Sequence, residues 1–275
     1  LVGHPQYPTI IAIENGSADP IEAGFTFSPD QTFSFVTDSR QAIIFSASIE
    51  DSAGGNQKRI IALHDGESII PILIEGDSLN SNDFPLVSSI PDTPMVFSAN
   101  GNIAVVAEIK SNQGESQSVI LTGNTGGFYP HVSAFQPYNG LPQDSIISEF
   151  HSPICLKEDD LIFSGRLSGG AIDQTDDQFV ATISDDGELD LIIREGDVIE
   201  GHNLLLTLDL LPPIPQKREI LVLGSLRNDL ALISARAGRP PIILARENQA
   251  LVTNEQNYTI TKLHAESLMS EGNQA

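Results

Sequence analysis

Carboxylates are the side chains of this sequence with the types and spacing for chemistry. Asp173, Asp176 and Asp177 fall within five residues of one loop, AIDQTDDQ. Calcium takes about six to eight oxygen ligands at roughly 2.3–2.6 Å, which such a loop can supply, so these three aspartates are the candidate calcium ligands. Two further acidic clusters, Glu158 to Asp160 and Asp185, Asp186, Glu188 and Asp190, read as solvated turn residues. None follows the D-x-[DN]-x-[DN]-G pattern of compact calcium loops.

A second acidic feature recurs. Arg194-Glu195-Gly196-Asp197 ends one apolar run, Glu75-Gly76-Asp77 ends another, and Ala245-Arg246-Glu247 matches in part. Catalysis needs one unique constellation, whereas a residue repeated within a chain serves the repeat geometry. Gly196 permits a sharp exit from a strand, and Arg194 is placed to pair with a carboxylate of the next repeat. No catalytic residue is assigned. The sequence has no G-x-S-x-G, P-loop, G-x-G-x-x-G, H-E-x-x-H or C-x-x-C. The six histidines are scattered singly, and Cys155, the one cysteine, excludes an intramolecular disulfide and reads as a small core residue. Trp is absent, and the one aromatic-rich segment is GFYPHVSAFQPY, residues 127–138. Its Tyr129, His131 and Tyr138 form the candidate ligand-binding surface, with its Phe residues assigned to packing.

These residues must be positioned by strands. Residues 178–197, QFVATISDDGELDLIIREGD, hold two β-prone runs joined through Asp-Gly, a strong hairpin signal because Gly accepts positive φ. The turn glycines Gly16, Gly66, Gly126, Gly187 and Gly238 are separated by 50, 60, 61 and 51 residues. The runs IIFSASI, IAVVAEI, LIFSGRL and ILVLGSL start 60, 58 and 59 residues apart, each with a small residue at its fifth place: Ala47, Ala107, Gly165 and Gly224. A period of about 50–60 residues with several strands per unit predicts an all-β β-propeller. The predicted units of four strands cover about 31–80, 84–140, 144–200 and 203–250, within a single repeat domain spanning 1–275. Residues 1–25 and 257–275 read as halves of a fifth, split blade, with strand 9–14 beside strand 257–263. The alternative is an open arc cut from a longer array. The segment KLHAESLMSEGNQ is the best helix candidate.

Net charge is −23, which opposes nucleic-acid binding through a basic face and disfavours anionic membrane surfaces. No apolar run approaches the ~20 residues of a membrane span. A monomer is expected.

The repeats resemble those of bacterial tandem-repeat proteins with an N-x-x-G-x-x-A-F motif, found mainly in secreted or surface-anchored chains. Gly101, Ala104 and Val105 carry its second half, the R-E-G-D tails match, and Gly272 to Ala275 match G-x-x-A. Asp38 and Gln41 stand where Asn and Gly would be in the first unit. The resemblance implies a repeat β fold and an extracellular, periplasmic or cell-surface location, with no established reaction. The expected function is a non-catalytic binding platform for a protein or glycan partner. The alternative is a carbohydrate-active enzyme, a glycoside hydrolase or lyase, using carboxylates at a central channel. Glycoside hydrolysis would need two carboxyls about 5–10 Å apart in a pocket.

Overall fold

A computed structural model describes residues 25–27, 34–37, 43–51, 57–64, 69–79, 86–92, 95–98, 101–157, 160–184, 186–199, 201–210, 219–226, 229–253 and 256–263. The fold is all-β. Strands β1 (Phe25–Phe27), β2 (Ser34–Thr37), β3 (Ile43–Asp51), β4 (Gln57–His64) and β5 (Ile69–Ile74) form the first sheet. The second contains β6 (Leu86–Ser89), β7 (Val96–Phe97), β8 (Ile103–Lys110), β9 (Ser116–Asn124) and β10 (Gly127–Ser133). The third contains β11 (Ser145–Lys157), β12 (Asp160–Gly169), β13 (Gln178–Ile183) and β14 (Leu189–Arg194). The fourth contains β15 (Val198–Ile199), β16 (His202–Leu210), β17 (Glu219–Leu226), β18 (Asp229–Arg236) and β19 (Arg239–Arg246). A last hairpin pairs β20 (Ala250–Thr253) with β21 (Gln256–Thr259).

Each sheet is a meander of neighbours in chain order, β3-β4-β5, β8-β9-β10, β11-β12-β13-β14 and β16-β17-β18-β19. The predicted four-strand unit is visible in this order, with a first strand that is often broken. Both β1 and β2 lie along β3, and both β6 and β7 along β8. In the third sheet the same position is one long strand, β11, whose pairing shifts three times between Ile147 and Cys155. Bulges of this kind bend a strand without ending it. Because β1 joins the first sheet, that repeat extends back to Phe25, ahead of the predicted boundary at 31.

The described residues fall into two compact units, one of 1–92, 107–116 and 123–129, the other of 93–106, 117–122 and 130–275. In the first, Phe45, Ala47, Ile49, Ile60 and Ala62 form the core. In the second, side chains alternate across the third sheet and are buried on both faces. Phe163 and Phe179 face one cluster, with Phe150, Ile147 and Ile120. Ile162 and Val180 face another, with Ile220, Val222 and Ile233 of the fourth sheet. Burial on both faces explains why FVATI and LIF read as unbroken apolar runs and not as alternating patterns. Phe163 stacks edge-on against Phe150 and Phe179, each at 5.7 Å between ring centroids.

The small fifth residue of the recurring run has a packing reason. A Cβ at Gly165 would collide with the carbonyl oxygen of Glu149 on β11 and lie 3.2 Å from the Phe179 ring. Ala47 and Ala107, its counterparts, are fully buried.

The central hairpin forms as predicted, between β13 and β14. Gly187 has φ +81° and donates its N–H to the Ser184 carbonyl at 2.9 Å. Gly238 also has positive φ, but in the second repeat the left-handed residue is Gly127 and not Gly126. Gly187→Val is expected to destabilise the chain by about 1–3 kcal/mol through strain at a β-branched residue. An unchanged denaturation midpoint would contradict this. Gly16, Gly66, strand 9–14 and the helix candidate beyond residue 263 lie outside the described residues.

Candidate functional site

The tails after β5, β14 and β19 are turns, and in the first and fourth repeats their glutamates tie one repeat to the next. In the first repeat Glu75 donates its N–H to the Arg59 carbonyl at 3.0 Å. Its Oε2 accepts the Arg59 N–H at 2.9 Å, and its Oε1 accepts the N–H of Ile90, beyond β6, at 2.7 Å. In the fourth repeat Glu247 does the same, accepting from Leu230 at 3.4 Å and from Leu263, beyond β21, at 3.1 Å. The turn itself is closed by a side chain: Asp77 accepts from Ile74 N–H, Asp197 from Arg194 N–H, and Gln249 from Arg246 N–H. The third turn residue has φ of +100° at Gly76, +81° at Gly196 and +63° at Asn248. Glycine suits that conformation, and Asn is among the few other residues that adopt it readily.

The second repeat keeps the turn and lacks the clamp. Ala134 stands where Glu would be, donating its N–H to the Ser118 carbonyl at 2.9 Å, and Phe135 takes the glycine position with φ +59°. Its N–H still reaches the Ile147 carbonyl at 2.8 Å, as Gly76 reaches Val87. Recurrence of Glu-Gly after a strand was the signal for this clamp in the sequence. What the sequence did not reveal is that the glutamate acts through backbone amides.

In the third repeat the acidic loop packs over the Glu195 turn. A Cβ on Gly196 would lie 3.0 Å from Asp176 Cβ. Asp176 faces Arg194 at 3.9 Å and Asp177 faces Arg166 at 3.9 Å. Arg194 therefore pairs within its own repeat, not with the next as its position in the sequence suggested. Asp176 also accepts the Asp173 N–H at 2.7 Å, while Asp173 accepts the N–H and hydroxyl of Thr175 at 2.8 and 2.7 Å. Those Thr175 bonds hold the Asp173 carboxyl below its usual range. The three aspartates are thus engaged by separate groups. Among the described residues no set of three or more His, Cys, Asp or Glu is placed to hold a metal ion. Melts taken with chelator and with excess calcium are expected to superimpose. A calcium-dependent rise abolished by Asp176→Asn with Asp177→Asn would instead establish a site.

Glu195 differs from its two counterparts. It is 6% exposed, and its Oε2 makes no hydrogen bond among the described residues. Burial pushes its carboxyl up, the Asp177 charge adds to this, and the Gln178 amide and Arg166 act the other way. Across the sheet, burial pushes His151 down against the pull of nearby Glu149.

The three aromatic-segment candidates separate. Tyr129 is exposed on β10, with His131 two residues on and therefore on the same strand face. His131 Nδ1 lies 3.2 Å from the Thr122 hydroxyl. Tyr138 turns inward: it packs against the Phe163 cluster, and its hydroxyl accepts the Ser133 N–H at 2.7 Å and donates to the Ser133 carbonyl. Burial pushes its phenol up. Phe135, assigned to packing, is 60% exposed, because the left-handed turn residue points it outward.

An open hollow of about 360 Å³ lies at the fourth repeat's turn, lined by Asp229, Ile243, Arg246, Glu247, Asn248 and Gln249. Asp229 there binds Arg246 at 3.0 Å and Asn248 at 3.0 Å, so both of its carboxylate oxygens are already paired.

No helix among the described residues is long and apolar enough to cross a membrane. No curated protein and no solved structure matches the chain. A family model described as a family of unknown function (DUF7453) matches residues 3–217, well over half of the sequence, and the chain belongs to that family.

Proposed function

We propose that this protein is a non-catalytic β-propeller repeat module of the bacterial exterior or envelope, a rigid platform that presents loops to a protein or glycan. One observation carries the reading. The recurring polar motif that resembles a site is consumed by repeat geometry, because Glu75 and Glu247 spend both carboxylate oxygens on backbone amides of successive repeats. A repeated four-stranded meander supports blades, and the begun fifth unit at β20–β21 supports a fifth blade completed by residues from both termini. The resemblance to surface repeat proteins supports the location. Among the described residues Tyr129 and Phe135 are exposed aromatics, each open to a partner.

The competing carbohydrate-active reading has one carboxyl in its favour, Glu195, which is raised as a general acid must be. It is 6% exposed and sits at the turn that follows β14, the place where the first and fourth repeats put their clamp glutamates. Incubation with a panel of β- and α-linked glycosides and uronic-acid polymers is expected to give no turnover. Hydrolysis or elimination that disappears in Glu195→Gln would overturn the non-catalytic reading. Class averages from electron microscopy are expected to show a ring of blades, and an open arc would remove the closure by the termini.

A further inference from the structure

The Glu195 turn and the loop it packs against combine three features that no other described repeat shares. The first is a buried carboxylate oxygen with no hydrogen-bond partner among the described residues, where the equivalent oxygens of Glu75 and Glu247 accept the Ile90 and Leu263 amides of the next repeat. The second is an acidic loop packed onto the turn through Thr175 and Asp176, which lie against Gly196. The third is incomplete neutralisation: Arg166 and Arg194 stand 3.9 Å from Asp177 and Asp176, too far for hydrogen bonds. We propose that this corner is a proton-operated clamp, closed over the turn when Glu195 carries a proton and loosened when Glu195 is ionised.

The charges that act on Glu195 come from every side of the corner. Asp176 and Asp177 face it from the loop, Arg166 from β12, and the Gln178 amide from β13. Arg194 and Asp197 flank it within the turn. An ionised Glu195 adds a third negative charge beside two carboxylates, in a place that water reaches poorly. A proton removes that repulsion and turns Oε2 into a hydroxyl. The direction of the pKa agrees, being raised first by burial and then by Asp177. A raised value in the fold means that the stabilisation is fully present below the ordinary glutamate value of 4.5 and is lost as pH rises through the folded value. His151 works in the opposite sense. Its lowered value gives stability that is present above 6.5 and lost as pH falls through the folded value, so the bare pH profile mixes the two. Variants of Glu195 itself separate them.

The experiment is a carboxyl carbon NMR titration of the whole chain, with amide exchange of Asp173, Thr175 and Asp176 corrected for intrinsic rates. Glu195 is expected to titrate above 4.5, and its midpoint to move down in Asp177→Asn. Loop exchange should slow severalfold on acidification in the native chain, and be slow at every pH in Glu195→Gln. A midpoint at or below the ordinary value, a midpoint unmoved in Asp177→Asn, or loop exchange independent of pH would each overturn the clamp. Because Asp177 is partly exposed, that variant keeps the test available should Glu195→Gln not fold.

Discussion

Glu75→Ala is expected to destabilise the chain by about 2–4 kcal/mol, well beyond what an ordinary partly exposed glutamate contributes. The substitution orphans two backbone amides at once, those of Arg59 and Ile90, and each partly buried donor left without a partner costs about 1–3 kcal/mol. The side chain's hydrocarbon contributes little by comparison. Glu75→Gln keeps an acceptor for one amide and turns a donor toward the other, so it should recover only part of the loss. Denaturant midpoints for the native chain and both variants check this order. Equal midpoints for all three would show that the two bonds do not support the fold.

Phe163→Ala should cost about 3–5 kcal/mol, the range for deleting a large buried aromatic side chain. Phe163 is fully buried and stands between Phe150 and Phe179, with both rings edge-on. Its removal opens a cavity where β11, β12 and β13 meet, and the backbone cannot collapse into it because Gly165 already brings β11 and β12 as close as their atoms allow. Phe163→Leu should lose less than half as much. A thermal melt of the alanine variant within a degree of the native chain would contradict the packing described for this sheet.

The strands that carry the repeat were legible in the sequence because they are buried and regular. LIFSGRL and ILVLGSL became β12 and β17, and Asp-Gly at 186–187 gave the hairpin between β13 and β14. The broken first strand of the first two repeats, and the short strand ahead of β16, were harder to see. Segments such as Val96–Phe97 and Val198–Ile199 are too short for a period, and they form because β8 and β16 offer them an edge. The turn chemistry was legible at Gly196 and illegible at Phe135, since nothing about a phenylalanine announces a left-handed backbone. Arg194 illustrates another limit. Its position in the sequence suggested a carboxylate of the next repeat, yet the folded loop brings Asp176 of its own repeat to it. The aromatic segment divides for a similar reason, Tyr138 being drawn inward by the Ser133 backbone while Tyr129 stays outside.

Whether the recurring glutamates belong to the architecture or to a site is decided most directly by residue-resolved amide exchange. The clamp predicts that Glu75→Ala accelerates exchange at Arg59 and Ile90 by at least tenfold while leaving Leu230 and Leu263 as they were. Glu247→Ala should do the reverse. If instead both variants left all four amides as protected as in the native chain, the glutamates would not join the repeats, and the case for a purely architectural motif would fail.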